Sequence, residues 1–129
     1  MNIGQASAGS GVSQRMIRHY ERIGLIPPPA RRDSGYRDYD ESDVHRLRFI
    51  ANARDLGFSI AEIRALLGLW DDRSRSSAEV KELALSHIEA LEEKIARLVS
   101  MRATLQDLVE RCYGDGRPDC PILKKLAGV

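Results

Sequence analysis

Cys112 and Cys120 are the only thiols in a chain of 129 residues, and both lie within its last 18. The segment between them, Tyr113-Gly114-Asp115-Gly116-Arg117-Pro118-Asp119, reads as a tight loop across which the two thiols can face each other. Soft thiolates select Cu(I), zinc and related ions, whereas hard cations prefer oxygen. Two cysteines do not complete the four-ligand shell of structural zinc, and the three histidines, His19, His45 and His87, are distant in sequence. A two-coordinate monovalent ion, Cu(I) or else Ag(I) or Au(I), is the economical fit. Two thiolates around one such cation leave a negative charge in excess, which amides near Pro121 and a base such as Lys81 or Lys124 would ease. Two other readings stand beside this one. Cys112 can be a small apolar residue closing a helix with Cys120 a chance neighbour, or the pair can be a reversible disulfide switch.

The loop needs a rigid element to hold it, and the chain supplies one immediately before. From Ser77 to about Arg111 there is neither Gly nor Pro, and Ala84, Ile88, Leu91, Ile95 and Leu98 alternate four and three apart. That spacing makes a heptad seam, flanked by Glu89, Glu92, Glu93, Lys94 and Arg97. Past Leu98 the register shifts to Met101, Leu105 and Leu108. A helix this long on so small a chain cannot bury its stripe on its own N-terminal module, so a coiled-coil homodimer is expected. Beyond the loop, Pro121 suits the first position of a short closing helix, with Asp119 or Cys120 as its cap.

The N-terminal part follows a different grammar. The run Ile3 to Ser13 reads as a short helix that ends in glycines and then restarts, with Ser13 capping a second helix, Gln14 to Ile23, closed by Gly24. Two short helices about a Gly-Val-Ser turn predict a helix-turn-helix, whose second helix would lie in a DNA major groove and offer Gln14, Arg15, Arg18, His19 and Arg22. Pro27-Pro28-Pro29 then stops any helix, and Asp33-Ser34-Gly35 provides a turn between two short extended segments, a wing. Arg31, Arg32, Tyr36, Arg37 and Tyr39, on or beside it, are suited to phosphate contacts. A third helix, capped by Asp40 or Ser42, carries Val44, Leu47, Ile50 and Ala51 to about Leu56. A fourth begins with the capping box Ser59 to Glu62 and continues through Ile63, Leu66 and Leu67.

Charge divides along the same boundaries. The net charge is only +1, yet residues 1–39 hold six arginines against Glu21, Asp33 and Asp38, and every basic residue before Lys81 is Arg. Arginine's planar fork suits phosphate and guanine, although arginine-rich codon usage accounts for the same choice. The first 20 residues contain no apolar run resembling a signal peptide or membrane span, so a cytoplasmic protein with no membrane partner is expected. An all-α, mainly helical chain follows: a winged helix-turn-helix over 1–70, a linker over 71–76, a dimerisation helix over 77–111, and a metal-binding loop with closing helix over 112–129. An enzyme is not expected, because a thiol oxidoreductase would place its pair as C-x-x-C beside a mixed sheet. An iron–sulfur site usually takes four cysteines, and a drug sensor needs a larger C-terminal domain.

The order Gly11-Val12-Ser13, Arg18-His19-Tyr20-Glu21, Gly24-Leu25-Ile26, Arg31-Arg32, Gly35-Tyr36-Arg37 and Tyr39, followed by a long helix, resembles the MerR family of transcription regulators over the whole chain. The final loop, Cys112, Gly114-Asp115 and Arg117-Pro118-Asp119-Cys120-Pro121-Ile122, is similar to that of its copper-responsive CueR (HmrR) branch. The resemblance implies an antiparallel pair of long helices, a palindromic promoter bound by two winged helix-turn-helix units that include Tyr20 among their contact residues, and activation of copper efflux or tolerance genes. Distortion of the promoter spacer would let RNA polymerase engage both elements. It also implies that Cys112 and Cys120 hold Cu(I) in linear geometry. Members answering divalent ions carry a cysteine near the start of the long helix, where this chain has Ser77, with Lys81 one turn later to offset negative charge. Tyr113 departs from the pattern, where a smaller or polar residue would leave the site more open; packing on the dimer helix is expected of it.

Overall fold

The structure, a computed structural model, describes residues 1–128. The chain divides into two compact units, Met1–Ser76 and Ser77–Val129.

In the first unit, α1 (Ile3–Ser10) opens on Asn2, whose side chain accepts from the Gln5 amide while the Gln5 side chain accepts from the Asn2 amide. Gly11, at φ 77°, ends it in the left-handed conformation that lets the chain reverse within three residues. Ser13 then caps α2 (Gln14–Arg22) by accepting from Met16 N. Val12, buried between the two helices, and the Ser7 hydroxyl, donating to the Val12 carbonyl at 2.6 Å, fix the angle of the turn. The wing is a minimal antiparallel pair, β1 (Ala30–Arg31) and β2 (Arg37–Asp38), registered Ala30 to Asp38 and Arg31 to Arg37. Gly35, at φ 86°, closes its tip.

Asp40, rather than Ser42, caps α3 (Glu41–Asp55), and Ser59 caps α4 (Ile60–Asp71) in the box expected with Glu62. Four residues of α3, Val44, Leu47, Ile50 and Ala53, fall on one face and are buried. They meet Ala6 of α1, Ile17 of α2 and Ile63 of α4 in a single core. Arginines brace the helices from outside: Arg54 donates to the Tyr20 hydroxyl at 3.2 Å, and Arg64 donates to the carbonyls of Ile23 and Gly24. A helix-turn-helix with an attached wing is therefore held by one apolar core and by polar ties to backbone groups that α2 leaves open at its end.

The second unit is α5 (Ser77–Arg111), 35 residues long, and α6 (Pro121–Leu126), which packs back on the end of α5. At about 1.5 Å per residue, α5 spans about 50 Å. Leu108 is buried, but Ile88, Ile95, Leu98, Met101 and Leu105 stay about half exposed or more along one stripe. Among the described residues no helix is long and apolar enough to cross a membrane.

Candidate functional site

Two surfaces carry chemistry, one on each unit. On the first, Gln14, Arg15, Arg18 and Arg22 line the exposed side of α2, and His19 is half-buried with its ring 6.0 Å from that of Tyr20. On the wing, Arg31, Arg32 and Tyr36 are exposed. Arg31 Nη1 donates to the Gly35 carbonyl at 2.8 Å, and Arg32 lies 3.5 Å from Asp38. The amino group of Met1 donates to Asp38 at 2.7 Å, and this bond, with the nearby Arg32, holds the Asp38 carboxyl below its ordinary value.

Two expected contact residues are placed elsewhere. Tyr20 and Tyr39 lie in the core, 3% and 2% exposed. The Tyr20 hydroxyl accepts from Arg54, and the Tyr39 hydroxyl donates to Glu21 at 2.8 Å. Their rings fill space between α2, β2 and α3 rather than lying on the surface. Arg37 is half-buried and its Nε donates to the other oxygen of Glu21 at 3.0 Å. Arg54 and Arg64, which shape this face together with Glu21, carry no local sequence signal for that role. For Glu21 the available signal was an acid one turn beyond Arg18 in an otherwise basic segment.

On the second unit, Cys112 directly follows α5 and its amide donates to the Val109 carbonyl, so the helix geometry runs on into it. Cys120 is the cap residue of α6, where its carbonyl accepts from Lys124 N while its side chain makes no capping bond. Both cysteines are free and half-buried. The loop between them has internal ties: Asp115 accepts from the Arg117 amide at 2.9 Å and pairs with Arg117 Nε at 3.0 Å, while the guanidinium lies 4.0 Å from the centre of the Tyr113 ring. Tyr113 is 67% exposed, and within the chain its ring stacks with Arg117 of the loop. Among the described residues no group of three or more His, Cys, Asp or Glu side chains gathers into a metal cluster. The two thiols that bound the loop would suit a soft ion that is satisfied by two ligands.

Ser77 and Lys81 occupy the first turns of α5, and the cysteine loop follows its last. The length of that helix puts them about 50 Å and about 45 Å from Cys112 of their own chain. Within one chain the helix keeps both side chains away from the loop.

The family described as MerR HTH family regulatory protein matches residues 1–69, and that described as MerR, DNA binding, matches residues 44–108. The chain is 59% identical to the HTH-type transcriptional regulator HmrR of Sinorhizobium medicae over 98% of its own length and 86% of that protein. It is 39% identical to the HTH-type transcriptional regulator CueR of Salmonella typhimurium, over 99% and 93%. Among solved structures, the transcription regulator PbrR691 from Ralstonia metallidurans in complex with lead(II) superposes with a TM-score of 0.84 at 34% identity, covering 98% of both chains.

Proposed function

Because the chain belongs to the MerR family of transcription regulators, we propose that it is a metal-responsive regulator that acts in the cytoplasm as a homodimer on palindromic promoter DNA and answers Cu(I), or Ag(I) or Au(I). The observation that supports the choice of ion is two free thiols bounding a short loop, with no third ligand gathered beside them among the described residues. A divalent soft ion such as lead(II), held by one of the structural relatives, gains less from two thiolates, because its usual shell is fuller. Bound there, the ion would tie the end of α5 to the start of α6.

The chain's own residues do the rest. Gln14, Arg15, Arg18, His19 and Arg22 present donors and acceptors to base edges and phosphates from α2, and Arg31, Arg32, Tyr36 and Arg37 grip the backbone from the wing. Two such units, fixed at a set separation by paired α5 helices, hold two half-sites and distort the spacer between them so that RNA polymerase can engage genes for copper efflux or tolerance. Ser77 and Lys81 of the partner subunit would close the site electrostatically, Ser77 by offering no third thiolate and Lys81 by offsetting negative charge.

Anaerobic titration of the reduced protein with Cu(I) against a competing chelator, in parallel with Zn(II), tests the reading. Tight binding of one Cu(I) per chain with weak Zn(II) binding is expected. Absence of tight Cu(I) binding would leave the DNA-binding unit standing and turn the thiol pair into a disulfide switch.

A further inference from the structure

A carboxylate at the centre of an arginine-rich face is electrostatically out of place. Beside a phosphate backbone it repels, and burial costs it hydration. Glu21, in the last turn of α2, has a side chain only 11% exposed, and both its oxygens are engaged. Oε2 accepts from Arg37 Nε at 3.0 Å and Oε1 from the Tyr39 hydroxyl at 2.8 Å. Those donors lie 16 and 18 residues away, in and just after β2. One side chain therefore ties the helix that faces the major groove to the strand that carries the wing. Bonds to a charged acceptor are the stronger kind, and the Tyr39 phenol registers this one, pushed up to about 12 by burial and by Glu21.

The tie has a cost and a return. Arg37 spends one of its five N–H donors on Glu21 and has part of its charge countered, which weakens its attraction for any phosphate. In exchange the wing keeps a fixed distance from α2. On a matched site, base contacts from α2 and phosphate contacts from the wing must be made together, and a wing held in place beforehand loses little freedom on binding. On unrelated DNA a loose wing finds some phosphate regardless.

We propose that Glu21 is a positioning residue that locks the wing to the recognition helix through Arg37 and Tyr39, raising discrimination for the chain's own promoter site at the expense of general affinity for duplex DNA. The inference rests on the reading of α2 and the wing as the DNA-gripping surface.

The test uses the full-length chain and two duplexes, one selected by the wild-type protein from a random-sequence pool and one scrambled to the same length and composition. Glu21→Gln should bind the selected duplex about tenfold more weakly, the worth of a charged hydrogen bond, while binding the scrambled duplex as well as or better than wild type. Glu21→Asp, which keeps the charge but withdraws it from the wing by one methylene, should lose discrimination in the same direction. It also serves where Glu21→Gln fails to fold. In an Arg37→Gln, Tyr39→Phe background, adding Glu21→Gln should cost little further discrimination. A Glu21→Asp chain that discriminates as wild type does would reduce the effect to charge alone and overturn the positioning role, as would equal weakening on both duplexes. A wild-type chain that selects no duplex would instead remove the DNA-gripping reading itself.

Discussion

Replacing Cys112 or Cys120 by serine takes away one of two soft donors and leaves the Asp115–Arg117 bonds and the Tyr113–Arg117 stack within the loop. Each single variant is expected to lose tight Cu(I) binding in chelator competition while keeping wild-type affinity for the selected duplex; loss of DNA binding in both would make the loop a structural element. Tyr39 gives a second test at this scale. Its phenol, 10.0 when unperturbed, is raised to about 12 by burial and then by the neighbouring Glu21. A raised value means the folded state keeps a proton that the unfolded chain releases, so the contribution is whole below pH 10 and is lost as the pH climbs from about 10 to about 12. Between about pH 9 and about pH 11.5, wild type should lose about 2 kcal/mol of unfolding free energy relative to Tyr39→Phe in urea titrations. Parallel pH profiles for the two chains would place the Tyr39 hydroxyl outside the tie. The same residue shows where the sequence misleads. An aromatic among arginines has one appearance whether its ring faces a phosphate or fills a core, and only the packing of α2, β2 and α3 separates Tyr20 and Tyr39 from the exposed Tyr36.

At the scale of elements, helix ends were the most readable feature, because a cap is a local event between a side chain and an amide two or three residues on. Ser13 and Ser59 cap where their spacing places them, and α5 runs from Ser77 to Arg111 because nothing in it breaks a helix. Asp40 prevails over Ser42 by forming a reciprocal box with Asp43, whose own carboxyl burial raises above its ordinary value. Register in the wing was not legible, since strands of two residues have no alternation to read and the pairing of Ala30 with Asp38 is set by the turn. Nor were the arginine braces, which join residues 34 to 41 positions apart. Ser59→Ala removes the side-chain acceptor for the Glu62 amide and should cost about 1 kcal/mol of stability in denaturant unfolding. A neutral result would mean that core contacts through Ile63 and Leu67 fix the start of α4 without the cap.

For the whole molecule the decisive quantity is the length of α5. A stripe with Ile95 and Leu98 about 60% exposed calls for a partner, and the direction of pairing decides what chemistry the pair can do. Parallel helices would place two Ser77 side chains together and two cysteine loops together, about 50 Å apart. Antiparallel helices instead bring Ser77 and Lys81 of the partner subunit to each loop, joining the residue expected to set ion selectivity to the residues expected to hold the ion. The variant Ser77→Cys separates these arrangements. In an antiparallel dimer, mild oxidation should cross-link the new thiol to Cys112 or Cys120 of the partner subunit, giving a covalent dimer on a non-reducing gel that disappears when both native cysteines are serine. In a parallel dimer the cross-link would join the two new thiols and survive that double replacement. Reduced, the antiparallel Ser77→Cys dimer should also gain affinity for Zn(II), since a third thiolate moves the site toward the fuller shell that divalent ions take. A covalent dimer that survives removal of Cys112 and Cys120, with Zn(II) affinity unchanged, would detach Ser77 from the site and leave selectivity to the two native thiols alone.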